Sequence, residues 1–293
     1  MQRALHELPL ALFTTISSIS AGTFICLALA ALLLGALPTA LQKRLDKLTV
    51  VAVVLVMLGF VSSVFHLTNP FHGIYVFSHL GTSPLSNELF VAGIFTACMM
   101  VFVVLALLSK LNHKARIVLA SITALAALVF AAFIGKAYMM PTITTWNTNA
   151  MVVALVGYCL MGGILLGTAL MGFAGVFSDK ELVASSKLKR FGLVALVLLV
   201  LGLVLSLYGT WSQYSLAAHT VTPFVNGADY TAEVSSFFIS FVVLSIVAAL
   251  VGVFALLSQK KPALFATLAV ILFYLAVFCA RIVFYATEIS VGV

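Results

Sequence analysis

Four ionisable residues lie inside or at the edge of long apolar runs: His66, Glu88, Lys136 and Arg281. Charged groups in such surroundings are expensive and tend to mark function. An imidazole takes up and releases a proton near neutrality, and a carboxylate on a neighbouring helix orients it or passes the proton on to water. Oxidation of a lipid-soluble hydroquinone needs such a set: a site open to the bilayer, a base for the hydroxyl proton, a polar group at the second oxygen, and a nearby electron acceptor. The sequence supplies the first three. It does not supply the fourth: a bound haem b would want axial histidines on facing helices, and no apolar run has a histidine in its interior. Neither haem nor metal is expected on this polypeptide, so electrons would have to leave to a partner.

Each of the four also has a plainer reading. His66 fits a headgroup-zone histidine with its polar tip wet. Ser83 reads as an N-cap with Pro84 at the first helical position, so that Glu88 would favour the helix dipole. Lys136, near a helix end, is expected to snorkel. Arg281 lies deeper in its run and is expected to meet a buried partner such as Glu88 or Glu288.

The elements that position these residues follow from composition. Of 293 residues, 63% are hydrophobic and 8% charged, which excludes a water-soluble globule and a disordered polypeptide. Cys26, Cys98, Cys159 and Cys279 each stand alone in an apolar run, without metal-ligand spacing, and read as packing residues. The net charge of +7 comes from basic residues that punctuate apolar runs, not from a phosphate-binding surface, so no nucleic-acid partner is expected.

A spanning helix needs about 20 mostly apolar residues. Eight segments qualify, near 9–37, 48–67, 88–108, 117–140, 150–177, 191–211, 234–257 and 262–285. The expected fold is an all-α integral membrane protein, a single transmembrane domain over 1–293 built as a bundle of eight transmembrane helices. Segments 38–47, 109–116, 178–190 and 258–261 hold twelve Lys or Arg, whereas 68–87, 141–149 and 212–233 hold none. The positive-inside rule then puts the first group in the cytoplasm and both termini on the periplasmic side.

The N-terminal run contains the A-x-A-like Ala28-Leu29-Ala30, yet cleavage there would leave Lys43, Arg44 and Lys47 on the translocated side, so retention is expected. All seven prolines fall at span ends or in connections, which predicts mostly continuous helices without the mid-membrane breaks of transporters. Gly163-x-x-x-Gly167 has the small-residue spacing that brings helix backbones together.

In this topology His66, Glu88, Lys136 and Arg281 all fall at the outer edge, on four different helices, and the cytoplasmic half of the spans carries no ionisable group. The pattern predicts a one-sided site rather than a proton path across the membrane. The outer connections add His72, His79, His219, Tyr75, Trp146, Tyr214 and Tyr230, read as interfacial belt residues on the face where a partner would dock.

Met1–Leu12 with its His6-Glu7-x-Pro9-Leu10 opening, Phe65-His66-Leu67-Thr68-Asn69-Pro70, Ser83-Pro84-Leu85-Ser86-Asn87-Glu88, Thr145-Trp146, Met161-Gly162-Gly163 and Arg281-Ile282-Val283-Phe284-Tyr285 together resemble the membrane anchor subunit of DMSO reductase. The matches run from the first residues to the last span, and are weaker over 212–232. The resemblance implies an anchor in a bacterial inner membrane, holding an iron–sulfur electron-transfer subunit and a molybdopterin catalytic subunit on its periplasmic face during anaerobic respiration. It also implies menaquinol as substrate, with His66 and Glu88 tied to its binding and oxidation. On this reading His66 accepts the proton, Glu88 orients it or provides the proton exit, and Lys136 or Arg281 acts electrostatically. The alternatives are a scaffold without its own quinol site, a haem-bearing quinol anchor and a small-solute transporter.

Overall fold

The computed structural model describes residues 2–66, 75, 78–258 and 261–290. Twelve α-helices account for most of them: α1 (Gln2–His6), α2 (Leu8–Ala21), α3 (Thr23–Leu34), α4 (Thr39–Val64), α5 (Pro84–Leu107), α6 (His113–Ala137), α7 (Ala150–Ala174), α8 (Lys180–Ala184), α9 (Ser186–His219), α10 (Gly227–Glu233), α11 (Ser235–Leu257) and α12 (Pro262–Ala286). Among the described residues there are two isolated β-bridges and no strand. Among the described residues, eight helices are long and apolar enough to cross a membrane, with α2 and α3 together forming the first, Leu8–Leu34. Helix is dictated here because a backbone in hydrocarbon must satisfy its polar groups internally. An even number of spans puts both termini at one end of the bundle, here called the terminal end, and the lysine- and arginine-rich connections at the other, the basic end.

Two spans are longer than their apolar runs suggest. The second begins at Thr39 rather than 48, and the sixth extends over Ser186–His219 rather than 191–211. Hydropathy marks the stretch that lies in hydrocarbon, whereas a helix continues past it wherever charged side chains reach water. Several helix starts are capped by the expected kind of residue. Ser83 Oγ accepts from Ser86 N ahead of Pro84, Asn112 Oδ1 accepts from Ala115 N at 2.8 Å, and Asp179 Oδ1 accepts from Leu182 N at 3.0 Å.

Burial is partly inverted relative to a soluble protein. Thr14, Thr15, Ser17, Ser18, Ser20 and Thr23 are buried, while Leu193, Val197, Val204 and Leu250 are exposed, as a lipid solvent requires. Without a strong hydrophobic drive between spans, close packing of small residues joins them. The central helix is α7, whose Gly163 lies against Gly22 between α2 and α3: a Cβ on Gly163 would fall 2.1 Å from the Gly22 carbonyl carbon, and one on Gly22 would fall 1.8 Å from the Cys159 oxygen. Gly167 meets Cys26 in the same crossing, where an added Cβ would be 2.3 Å from the cysteine Cβ. The Gly-x-x-x-Gly expectation therefore holds. The first span departs slightly from continuity at Gly22, which keeps right-handed angles (φ −59°, ψ −19°) at this backbone contact.

At the terminal end the backbone is tied crosswise. Thr144 N donates to Ile289 O at 3.0 Å, Ile289 N to Thr145 Oγ1 at 3.1 Å, and Gln213 Nε2 to Thr145 O at 2.6 Å. These bonds hold the α6–α7 connection against the end of α12 and against α9.

Candidate functional site

His66 follows directly on α4, after the cap residue Phe65. The last turn of α4 is held to the first turn of α2 by Ser62 Oγ, which donates to Pro9 O at 3.1 Å. This packing brings His66 Nδ1 to 3.3 Å from Glu7 Oε2, with both side chains partly exposed (39% and 28%). The carboxylate that meets His66 is thus Glu7, at the α1–α2 junction, and not Glu88. With Nδ1 directed at a carboxylate, Nε2 is left as the proton-accepting nitrogen.

Behind this pair lies Arg281, which is fully buried. Its Nη1 donates to Met151 Sδ at 2.8 Å and its Nη2 to the Tyr285 hydroxyl at 2.9 Å, while Nε has no hydrogen-bond partner. The guanidinium faces the rings of Phe284 (4.3 Å), Tyr285 (4.8 Å) and Tyr138 (5.0 Å). Aromatic faces attract a cation, most strongly when it is desolvated. Trp146 closes the cage, stacked on Phe284 at 4.7 Å, and Tyr138 and Tyr285 share a hydrogen bond between their hydroxyls. The expected carboxylate partner of Arg281 is replaced by sulfur, a hydroxyl and ring faces. Glu88 and Glu288 make no ion pair with it within 4.0 Å among the described residues.

Glu88 lies at the same end of the bundle, buried in the second turn of α5. His66, Glu88 and Arg281 lie toward the terminal end of their helices, and the ion pairs among the described residues include none between His66 and Glu88.

Lys136 stands apart. It is exposed, with its ammonium 5.6 Å from the Phe133 ring centre, the snorkelling alternative. Trp146 is buried in the cage rather than lying in an interfacial belt. Tyr214 is also partly inside, stacked on Phe238 at 4.2 Å. Tyr75, His79 and His219 are exposed, and His72 lies outside the described residues.

Sequence reasoning missed Glu7, Tyr138, Met151 and Tyr285 as site residues. Glu7 and Tyr285 sat within motifs already singled out, and the i, i+4 spacing of Arg281 and Tyr285 places both on one helix face, a signal available beforehand.

At the basic end the helices begin before the apolar runs, and two residues that the sequence places in connections form a buried pair. Arg116 Nη1 and Nη2 donate to Asp46 Oδ1 and Oδ2 at 2.6 and 2.9 Å, a bidentate pair buried between α4 and α6. Gln42 Nε2 adds a bond to Asp46 Oδ1 at 2.9 Å. Residues assigned to connections are helical here, and the packed helix starts bury them.

Comparison with known proteins places this geometry in context. A family model described as DMSO reductase anchor subunit (DmsC) matches residues 1–287. Over 172 residues the sequence is 34% identical to the C subunit of the anaerobic dimethyl sulfoxide reductase of Escherichia coli (strain K12), covering 58% of this protein and 60% of that one. It is 26% identical over 181 residues to the C subunit of the Haemophilus influenzae anaerobic dimethyl sulfoxide reductase, covering 62% of each. It is 25% identical over 171 residues to the anaerobic dimethyl sulfoxide reductase protein YnfH of Escherichia coli (strain K12), covering 58% and 60%. The match thus spans about 60% of the length of these curated relatives.

Proposed function

We propose a function on one premise: the protein belongs to the DMSO reductase anchor subunit (DmsC) family, matched over residues 1–287. It anchors a reductase complex in a bacterial inner membrane and oxidises menaquinol at the terminal end of its bundle, which faces the periplasm. Its partners there are an iron–sulfur subunit, which receives the electrons, and a molybdopterin subunit, which reduces the terminal acceptor. The observation that carries this reading is the His66–Glu7 contact, 3.3 Å and partly exposed, backed by the buried Arg281 and Glu88 at the same end.

The roles follow from this arrangement. His66 accepts a hydroxyl proton from the quinol at Nε2, while Glu7 fixes the tautomer and stabilises the imidazolium that forms. The caged Arg281 supplies a fixed positive charge toward the second quinol oxygen, a preorganised field that costs no reorganisation during the reaction. Glu88 is the second carboxyl of the site and takes the proton exit. Oxidation of one quinol releases two protons and two electrons, and iron–sulfur clusters of a partner subunit would supply the acceptor for the electrons. Proton release and acceptor reduction on one side make turnover electroneutral.

The test is His66→Ala in the assembled complex, measured by quinol oxidation and by binding of a quinone analogue. Loss of a general base is expected to slow the reaction roughly a hundredfold or more, with assembly intact. Unchanged oxidation and unchanged analogue binding would overturn the assignment. A scaffold without its own quinol site is favoured by one observation, the complete enclosure of Arg281; an assembled complex that binds its partners but no quinone analogue would establish it.

A further inference from the structure

At the basic end, away from the proposed quinol site, two adjoining clefts open beside α4 and the α5–α6 connection. One, of about 210 Å³, is lined by Thr39, Gln42, Lys43, His113 and Arg116 among others; the second, of about 280 Å³, by Lys43, Lys47, Leu107 and Ser109. They share Lys43, Asp46 and Ser109. Asp46 is the single carboxylate lining them, and both of its oxygens are engaged by Arg116. Lys43 and Lys47 are exposed and form no ion pair among the described residues. Arg116 is about nine-tenths buried and spends two of its donors on Asp46. A guanidinium carries five, so donor capacity remains at the cleft wall. The start of α4, which lines the 210 Å³ cleft, is uncapped by any side chain and has no acidic residue in its first turn, so its positive dipole end adds to the field there. Every uncommitted charge lining these two clefts is therefore positive.

What surrounds them selects among anions. Leu107 and Leu108 are exposed at the rim, and the lipid-facing side chains Val51, Val54 and Val104 continue from there along α4 and α5. An anion seated at Lys43 and Lys47 would have an apolar surface directly below it on which two acyl tails could lie. Basic pockets between spanning helices at the membrane surface match this chemistry.

We propose that these clefts bind the phosphate of an anionic phospholipid of the leaflet at the basic end, with Lys43, Lys47 and His113 around the headgroup and Arg116, locked by Asp46, as the fixed wall. The bound lipid joins α4 to the α5–α6 connection, on the opposite side of the membrane from the quinol site.

The full-length protein, purified in mild detergent, is titrated with phosphatidylglycerol, phosphatidylcholine or inorganic phosphate, and binding is read by native mass spectrometry and by the thermal unfolding midpoint. Phosphatidylglycerol is expected to bind saturably and raise the midpoint; phosphatidylcholine and inorganic phosphate at equal phosphate concentration are expected to do neither. Lys43→Gln should weaken phosphatidylglycerol binding about fivefold, the contribution of one interfacial lysine, and Lys43→Gln with His113→Gln further still. Arg190→Gln, a surface change outside the clefts, should leave affinity as it was. An equal response to phosphatidylcholine, an equal response to inorganic phosphate, or undiminished phosphatidylglycerol affinity in the double variant would each overturn the proposal.

Discussion

His66 owes its usable chemistry to Glu7. An exposed imidazole alone adopts either tautomer and rotates freely; a carboxylate at Nδ1 fixes both. Because Glu7 acts through His66 in the proposed reaction, the two substitutions should not add. In the assembled complex, Glu7→Gln is expected to reduce quinol oxidation less than His66→Ala, and the double variant to be no slower than His66→Ala alone. A double variant slower by the product of the two effects would assign Glu7 an independent role. The depth of His66, Glu88 and Arg281 was legible because each sits at a countable position in an apolar run. Their partners were not. Glu7 meets His66 only through the crossing of α2 and α4, and Arg281 satisfies its charge with Met151, Tyr138, Tyr285 and Phe284, which no expectation of a carboxylate partner would select. Lys136 shows the opposite case: a cation at the right depth whose helix face points outward, away from the cage.

The helices were legible as apolar runs, and their contacts were legible where small residues mark them. Gly163 shows what that contact demands. With its Cβ position 2.1 Å from the Gly22 backbone, a valine there has no room, and overpacking of this kind costs at least about 1–3 kcal/mol. Gly163→Val is accordingly expected to lower the yield of folded protein and its thermal unfolding midpoint. Gly93, in a helix interior with nothing within 4 Å of an added Cβ, is the control: Gly93→Ala should be neutral or stabilising by up to about 1 kcal/mol. Equal loss in the two variants would mean that the α7–α2 crossing is not tight. Helix ends were less legible, because Thr39–Lys47 and Ser186–Arg190 are polar by composition and helical by continuation. Asp46 and Arg116 illustrate the consequence, since a connection in sequence terms becomes a buried ion pair once the two helix starts pack.

For the whole molecule, the basic residues divide so sharply between the two ends that orientation becomes an experiment with a binary answer. Ser109→Cys lies at the basic end and Thr222→Cys at the terminal end. A membrane-impermeant maleimide is expected to label Thr222→Cys in intact cells, and Ser109→Cys after permeabilisation alone. The reverse pattern would place the His66 site in the cytoplasm and separate it from periplasmic partners. Hydropathy by itself determined the class, eight spans and the end at which His66, Glu88 and Arg281 gather, because lipid imposes length and composition on each segment one at a time. Pairing is a property of several segments at once. Only the tertiary structure decided that Glu7 faces His66, that aromatic rings enclose Arg281, and that Asp46 and Arg116 neutralise each other at the far end, since each of these depends on how helices cross and rotate against their neighbours.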